Sequence, residues 1–119
     1  MPNDYGAPEI SLQELRLKLS QKQEMVLLDV REAWELQLAR LEDERTFAAP
    51  VSEVSRQGMH ALPAAAQDKE AEIVVVCHHG VRSAAVTAWL LAQGWKNVRS
   101  LAGGLEDYAS FVDPSIGRY

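Results

Sequence analysis

The chain has a single cysteine, Cys77, and it is followed at once by His78, His79, Gly80, Val81, Arg82 and Ser83. These residue types in this order suit a nucleophile. A cysteine attacks as its thiolate, which forms where positive charge and unpaired backbone N–H groups surround the sulfur. Arg82 brings a permanent cation whose planar fork fits an oxyanion. The N–H groups come from a helix that begins just after the loop, because a helix N-terminus leaves them unpaired and collects partial positive charge. Successive N–H groups of the loop itself form an anion-binding concavity. An inert reading is also available, since a lone cysteine at a strand end often serves as a small buried hydrophobe. That reading gives no reason for a glycine and an arginine so close by.

The elements that must hold this loop are legible on either side of it. Ile73–Val76 is a run of β-branched residues too short for a helix, the pattern of a strand buried on both faces of a parallel sheet. From Ser83 onward, Ala84, Ala85, Ala88, Leu91 and Ala92, with Trp89 and Leu90, predict a helix that Gly94 ends as its C′ residue. Ser83 reads as its N-cap. Residues 25–30 form a second apolar run ending near Asp29, which as a good N-cap predicts a helix over 32–38, with Glu32 as a first-turn charge. Ser11 and Glu14 have capping-box spacing, with Leu12, Leu15 and Leu19 on one helical face behind a short strand at Glu9–Ile10. Residues 45–49 are a weaker strand closed by Pro50. Residues 51–67 suit a helix with Val54, Met59 and Leu62 inward, which Gly58 and Pro63 threaten to split. Val98–Leu101 is a last strand, Gly103 and Gly104 turn, and residues 105–112 predict a helix. Residues 1–8 and 113–119 read as tails. Strands alternating with helices imply crossovers and a mostly parallel α/β sheet, whose ligands bind outside the carboxyl ends of the strands. Cys77 and Asp29 both fall at such ends.

Composition narrows the function classes. At 119 residues a single domain spanning 1–119 is expected, with no linker and no internal repeat. A net charge of −5 argues against nucleic acid or an anionic membrane as partner. One cysteine excludes an internal disulfide framework and suits a reducing compartment. The first residues carry no signal-peptide pattern, and no run approaches the roughly 18 apolar residues of a membrane span. The cytoplasm is therefore expected. His78 and His79 would need further ligands to hold zinc with Cys77, and His60, the only other histidine, sits far off in the chain. No metal or cofactor is expected, and the two histidines read as shaping the loop mouth.

The stretch CHHGVRS, preceded by IVVV and followed by an Ala-rich helix, resembles the active-site loop of the rhodanese-like domains. LLDVRE at 27–32 resembles that family's upstream motif, and SLAGGLEDYA at 100–109 its downstream strand, Gly-Gly turn and helix. The three occur in the family's order, and the resemblance covers the chain from about residue 10 onward. It implies a three-layer fold, a five-stranded mostly parallel sheet flanked by helices on both faces. It also implies sulfurtransferase chemistry of the thiosulfate:cyanide type. Cys77 takes a sulfane sulfur from thiosulfate or a persulfide donor, holds it as a persulfide, and yields it to a thiophilic acceptor, a thiol or a protein. On this resemblance Cys77 and Arg82 are catalytic and His78, His79, Gly80, Val81 and Ser83 form the persulfide-binding loop, with Asp29 and Arg31 supporting it through ion pairs. Two roles are open to Arg82: orienting the sulfonate of thiosulfate, or rigidifying the loop. A monomer is expected.

Two other functions compete. Dual-specificity phosphatases and arsenate reductases of this fold carry a loop one residue longer than the four residues between Cys77 and Arg82, which makes room for a tetrahedral phosphate-like group. Rhodanese-like domains also serve as non-catalytic interaction or regulatory modules, especially where the cysteine is lost. The chain departs from the family pattern at 39–51, where ARLEDERTFAAPV replaces the frequent Gly-His-Ile-Pro-Gly-Ala stretch. Tyr108 stands where tryptophan is common and reads as a core aromatic. Trp34, Trp89 and Trp95 read as packing residues.

Overall fold

A computed structural model describes residues 3–119. Five short strands form its sheet: β1 (Glu9–Ile10), β2 (Val26–Asp29), β3 (Thr46–Ala48), β4 (Ile73–Val76) and β5 (Val98–Leu101). Their spatial order is β1-β5-β4-β2-β3, and every pairing is parallel. The apolar runs of β2 and β4 lie side by side in the middle, buried along their whole length. Asp29 stands opposite Val76, so both strands deliver their next residues to the same edge of the sheet.

Alternation along the strands divides the core in two. Val26, Leu28, Val30, Ile73, Val75 and Cys77 pack with Val54 of α3 (Val51–Gln57), Val86 and Leu90 of α4 (Val81–Ala92), and Trp95. Leu27, Val74 and Val76 face the other way, against Leu15 of α1 (Leu12–Ser20) and Leu105, Tyr108 and Ala109 of α5 (Gly104–Phe111). Helices therefore cover both faces and make three layers. Cys77 continues the alternation of Ile73 and Val75, which sends its thiol to the α4 side. No helix among the described residues is long and apolar enough to cross a membrane.

Several elements differ from the sequence expectation. The helix after the loop starts at Val81, not Ser83, because Gly80 takes the left-handed conformation (φ 94°) and caps it. Ser83 thus lies inside the first turn, fully buried. The helix after β2 is one turn, α2 (Ala33–Leu36), and Glu32 rather than Asp29 occupies its N-cap. Asp29 is held by Arg31, and the Glu32 carboxylate accepts from the Ser52 hydroxyl at 2.7 Å and the Ser52 N–H at 3.2 Å. The expected helix over 51–67 breaks after Gln57 into 3-10 turns at Gly58–Ala61 and Ala64–Ala66, as Gly58 and Pro63 threatened. The break shifts the helical phase, so Met59 is 40% exposed instead of inward. Trp95 is buried and Trp89 partly so, whereas Trp34 is 63% exposed.

Neither tail is loose in its described part. Asn3 Oδ1 accepts from the N–H groups of Tyr5 and Ala7, and Pro8 O accepts from Ser100 N–H at 2.9 Å. Met1 and Pro2, also read as tail, lie outside the described residues. At the other end Pro114–Ile116 is a 3-10 turn whose Ile116 joins the α5 side of the core. The chain then runs back to the edge where β2 and β4 end.

Candidate active site

Cys77 follows β4 directly and is 1% exposed. Its Sγ accepts from the N–H groups of Gly80 at 3.0 Å and Ser83 at 3.3 Å, and lies 3.3 Å from Ser83 Oγ. The left-handed Gly80 makes this possible by folding the chain back over the sulfur. A helix leaves its first four N–H groups without intrahelical partners. For α4 these belong to Gly80, Val81, Arg82 and Ser83; two point at Sγ, and those of Val81 and Arg82 have no acceptor among the described residues. The loop is fixed from the other side by α5, where Leu105 N–H donates to Cys77 O at 2.8 Å and Glu106 N–H to His78 O at 3.0 Å.

A charged network runs beside the loop. Arg82 donates through both fork nitrogens to Glu35, at 2.6 and 2.8 Å. Glu35 is 3% exposed and also accepts from Glu32 N–H at 2.9 Å and from the Tyr119 hydroxyl at 2.8 Å. Arg31 donates to that same hydroxyl at 3.1 Å and holds Asp29 at 2.8 Å. Carboxylates thus engage both arginines. Both terminal nitrogens of Arg82 are engaged by Glu35. Hydrogen bonding from Arg82 holds the Glu35 carboxyl at about 2, down from 4.5, although burial opposes the shift. The same pair raises Arg82 above its already high value.

His78 and His79 lie beside Tyr119. The ring of His78 lies 4.0 Å from that of His79 and 4.1 Å from that of Tyr119, each edge to face. Its Nε2 is 3.7 Å from Glu106 Oε2, and Glu106 also pairs with Arg118. Burial, aided by the neighbouring His79, pushes the His78 imidazole below its ordinary pKa. His79 is exposed. His60 lies apart from both, on the 3-10 turn after α3.

A family model for the rhodanese-like domain matches residues 11–111. The chain belongs to the rhodanese-like domain family. Among relatives, thiosulfate sulfurtransferase GlpE of Coxiella burnetii is 36% identical over 86 residues, which cover 65% of this chain and 80% of that one. The rhodanese-like/PpiC domain-containing protein 12 of Arabidopsis thaliana is 34% identical over 115 residues, 93% of this chain and 37% of its own. The chain spans about a third to half the length of the first curated relatives it matches. A rhodanese-related protein from Thermoplasma volcanium superposes with a TM-score of 0.67 at 25% identity, covering 87% of this chain and 91% of that one.

Within this rhodanese-like domain, the structure brings Cys77, Gly80 and Ser83 into contact and links Arg82 to Arg31 and Asp29. Val81 is exposed on the outer side of the loop. Two residues of the network, Glu35 and Tyr119, escaped the sequence reading. Glu35 left a faint signal, since it follows the N-cap Glu32 at capping-box spacing. Tyr119 left none. The Glu35 carboxyl has a further consequence for acid stability. Its folded pKa is depressed, so its contribution is complete above about 4.5 and is lost as pH falls toward about 2. With Arg82 about a third exposed, we expect the pair to contribute on the order of 2 kcal/mol. Glu35→Gln should flatten the stability curve across that window, measured by urea unfolding at a series of pH values. An unchanged acid limb would contradict this.

Proposed function

We propose that this domain is a sulfurtransferase of the thiosulfate:cyanide type that carries sulfur on Cys77. The observation that supports this most is the Cys77 sulfur, seated in the first turn of α4 with two N–H groups donating to it. The thiolate attacks the outer sulfur of thiosulfate, the S–S bond of the donor breaks, and its electron pair leaves with sulfite. Cys77 then bears a persulfide, Cys–S–S⁻. The remaining N–H groups of the turn, those of Val81 and Arg82, neutralise the outer sulfur without a metal or cofactor. An acceptor attacks that outer sulfur, and the electron pair of the broken bond returns to Cys77 as thiolate. Cyanide is the assay acceptor; in the cell, which we take to be the cytoplasm, a thiol or a protein takes this place. On this reading Arg82, braced by Glu35, holds the loop, and Asp29 and Arg31 hold the brace. His78 and His79 line the approach. The protein works as a monomer, without nucleic acid or membrane as partner. The name of the Coxiella relative, a thiosulfate sulfurtransferase, supports the reaction. The engagement of Arg82 by Glu35 and the four-residue spacing from Cys77 disfavour a phosphatase.

Transfer through a covalent intermediate requires ping-pong kinetics. Initial rates of thiocyanate formation, with thiosulfate and cyanide both varied, should give parallel double-reciprocal lines. Intersecting lines, or no thiocyanate at all, would overturn the proposal, the second leaving a non-catalytic binding module.

A further inference from the structure

We propose that Ser100 is a positioning residue for the Cys77 thiolate, acting through the hydroxyl of Ser83. The inference rests on Cys77 being the nucleophile, and it assigns a role to a residue of β5 outside the loop. Ser100 and Ser83 are both 0% exposed. Ser100 sits between the buried Val98 and Leu101 in sequence and opposite Val75 of β4 in register. A hydroxyl in such a place loses its water and costs about 1–3 kcal/mol if it finds no partner. The partner it finds is Ser83 Oγ, at 2.7 Å, and Ser83 Oγ in turn lies 3.3 Å from Cys77 Sγ. Among the described residues, neither hydroxyl has a further side-chain partner.

The protons on this short chain decide which form of the sulfur it favours. With Cys77 as a thiol there are three hydrogens, one on sulfur and one on each oxygen, but only two links between the three atoms. One hydrogen is left without an acceptor in a buried site. With Cys77 as a thiolate, its proton having gone to solvent, Ser100 donates to Ser83 and Ser83 donates to sulfur, so every hydrogen is used. The same holds in the persulfide, whose inner sulfur carries no hydrogen. Ser83 alone cannot secure this direction, because its hydroxyl is free to rotate. Ser100 turns the Ser83 hydrogen toward the sulfur by occupying the acceptor side of that oxygen.

The thiol–thiolate equilibrium of Cys77 can be read from ultraviolet thiolate absorbance over a pH series, with Cys77→Ser as blank. A hydrogen bond to a charged group is worth enough that Ser100→Ala should shift this equilibrium roughly fivefold toward thiol. His78, His79, Arg82, Glu35 and Glu106 are common to all the proteins compared, so the difference isolates the hydroxyl. Ser83→Ala should shift it at least as far. The double variant Ser83→Ala/Ser100→Ala should match Ser83→Ala alone, because Ser100 has no other route to sulfur. Ser100→Thr and Ser100→Val, nearly equal in volume and differing by the hydroxyl, give the same comparison should alanine loosen the core. Thr should stay near wild type and Val should follow Ala. An unshifted equilibrium in Ser100→Ala and Ser100→Val, or additive shifts in the double variant, would overturn the inference. The readout uses no sulfur donor, so its failure is distinct from absence of thiocyanate turnover in the wild type, which would defeat the proposed function instead.

Discussion

Cys77→Ser should abolish thiocyanate formation from thiosulfate and cyanide, lowering the rate at least about a thousandfold, as loss of a covalent nucleophile does elsewhere. The substitution is nearly isosteric, and a hydroxyl at this position still accepts from the Gly80 and Ser83 N–H groups. Stability should therefore move by no more than about 1 kcal/mol, within the range of well-tolerated substitutions. That separation makes the result interpretable. The serine oxygen is not ionised at neutral pH and cannot carry sulfane sulfur, so chemistry is lost while the loop stays in place. Thiocyanate assays paired with thermal melts give both readings. Turnover within tenfold of wild type would mean that sulfur transfer does not pass through Cys77.

Gly104→Ala should damage both stability and turnover, through contact with the backbone of the Cys77 loop. Gly104 has φ 67° and opens α5 beneath the active-site loop. A Cβ there would collide with the carbonyl oxygen of His78 and come within 2.6 Å of that of Cys77. These are backbone atoms, unable to swing aside as a flexible side chain does. They are also the acceptors for Leu105 and Glu106 N–H, the bonds that fix the loop to α5. Left-handed strain costs about 1–2 kcal/mol, and displacing the loop adds to it, so we expect a loss of about 3 kcal/mol. For a domain of this size that is a fall of roughly 10 °C or more in Tm. Gly80→Ala is the control. Its φ is 94°, but a Cβ there meets nothing closer than 3.4 Å, so it carries the backbone strain without the collision. Scanning calorimetry should find Gly104→Ala clearly the less stable of the two. Equal melting temperatures would show that α5 can retreat from the loop at little cost.

The sequence made the fold legible where one physical signal dominated. The uninterrupted apolar runs at 25–28 and 73–76 belong to central parallel strands buried on both faces, and their shortness and β-branched content set them apart from a helix. The glycines at 94, 103 and 104 marked the ends of elements, and each has positive φ. The placement of Cys77 at the sheet edge followed from those two signals. Errors arose where tertiary contacts overrode a local one. Ser83 looks like an N-cap, yet Gly80 reverses the chain earlier and carries Ser83 into the core. Asp29 looks like an N-cap, yet the buried Arg31 claims its carboxylate. The brace of Arg82 was not legible, because Glu35 and Tyr119 come from distant parts of the chain and meet Arg82 only once β2 and β4 lie side by side. Trp34 reads from the sequence as a packing residue. It lies exposed with its ring 6.2 Å from that of Tyr119, whose approach no local pattern announces.

On the proposed mechanism Cys77 carries the transferred sulfur. The most direct test is the intact mass of the protein after brief exposure to thiosulfate, without acceptor, followed by peptide mapping. The mass should rise by about 32 Da, one sulfur atom, confined to Cys77, discharged by cyanide and absent from Cys77→Ser. A protein that forms thiocyanate while its mass stays unchanged, or that carries the added sulfur elsewhere, would contradict it.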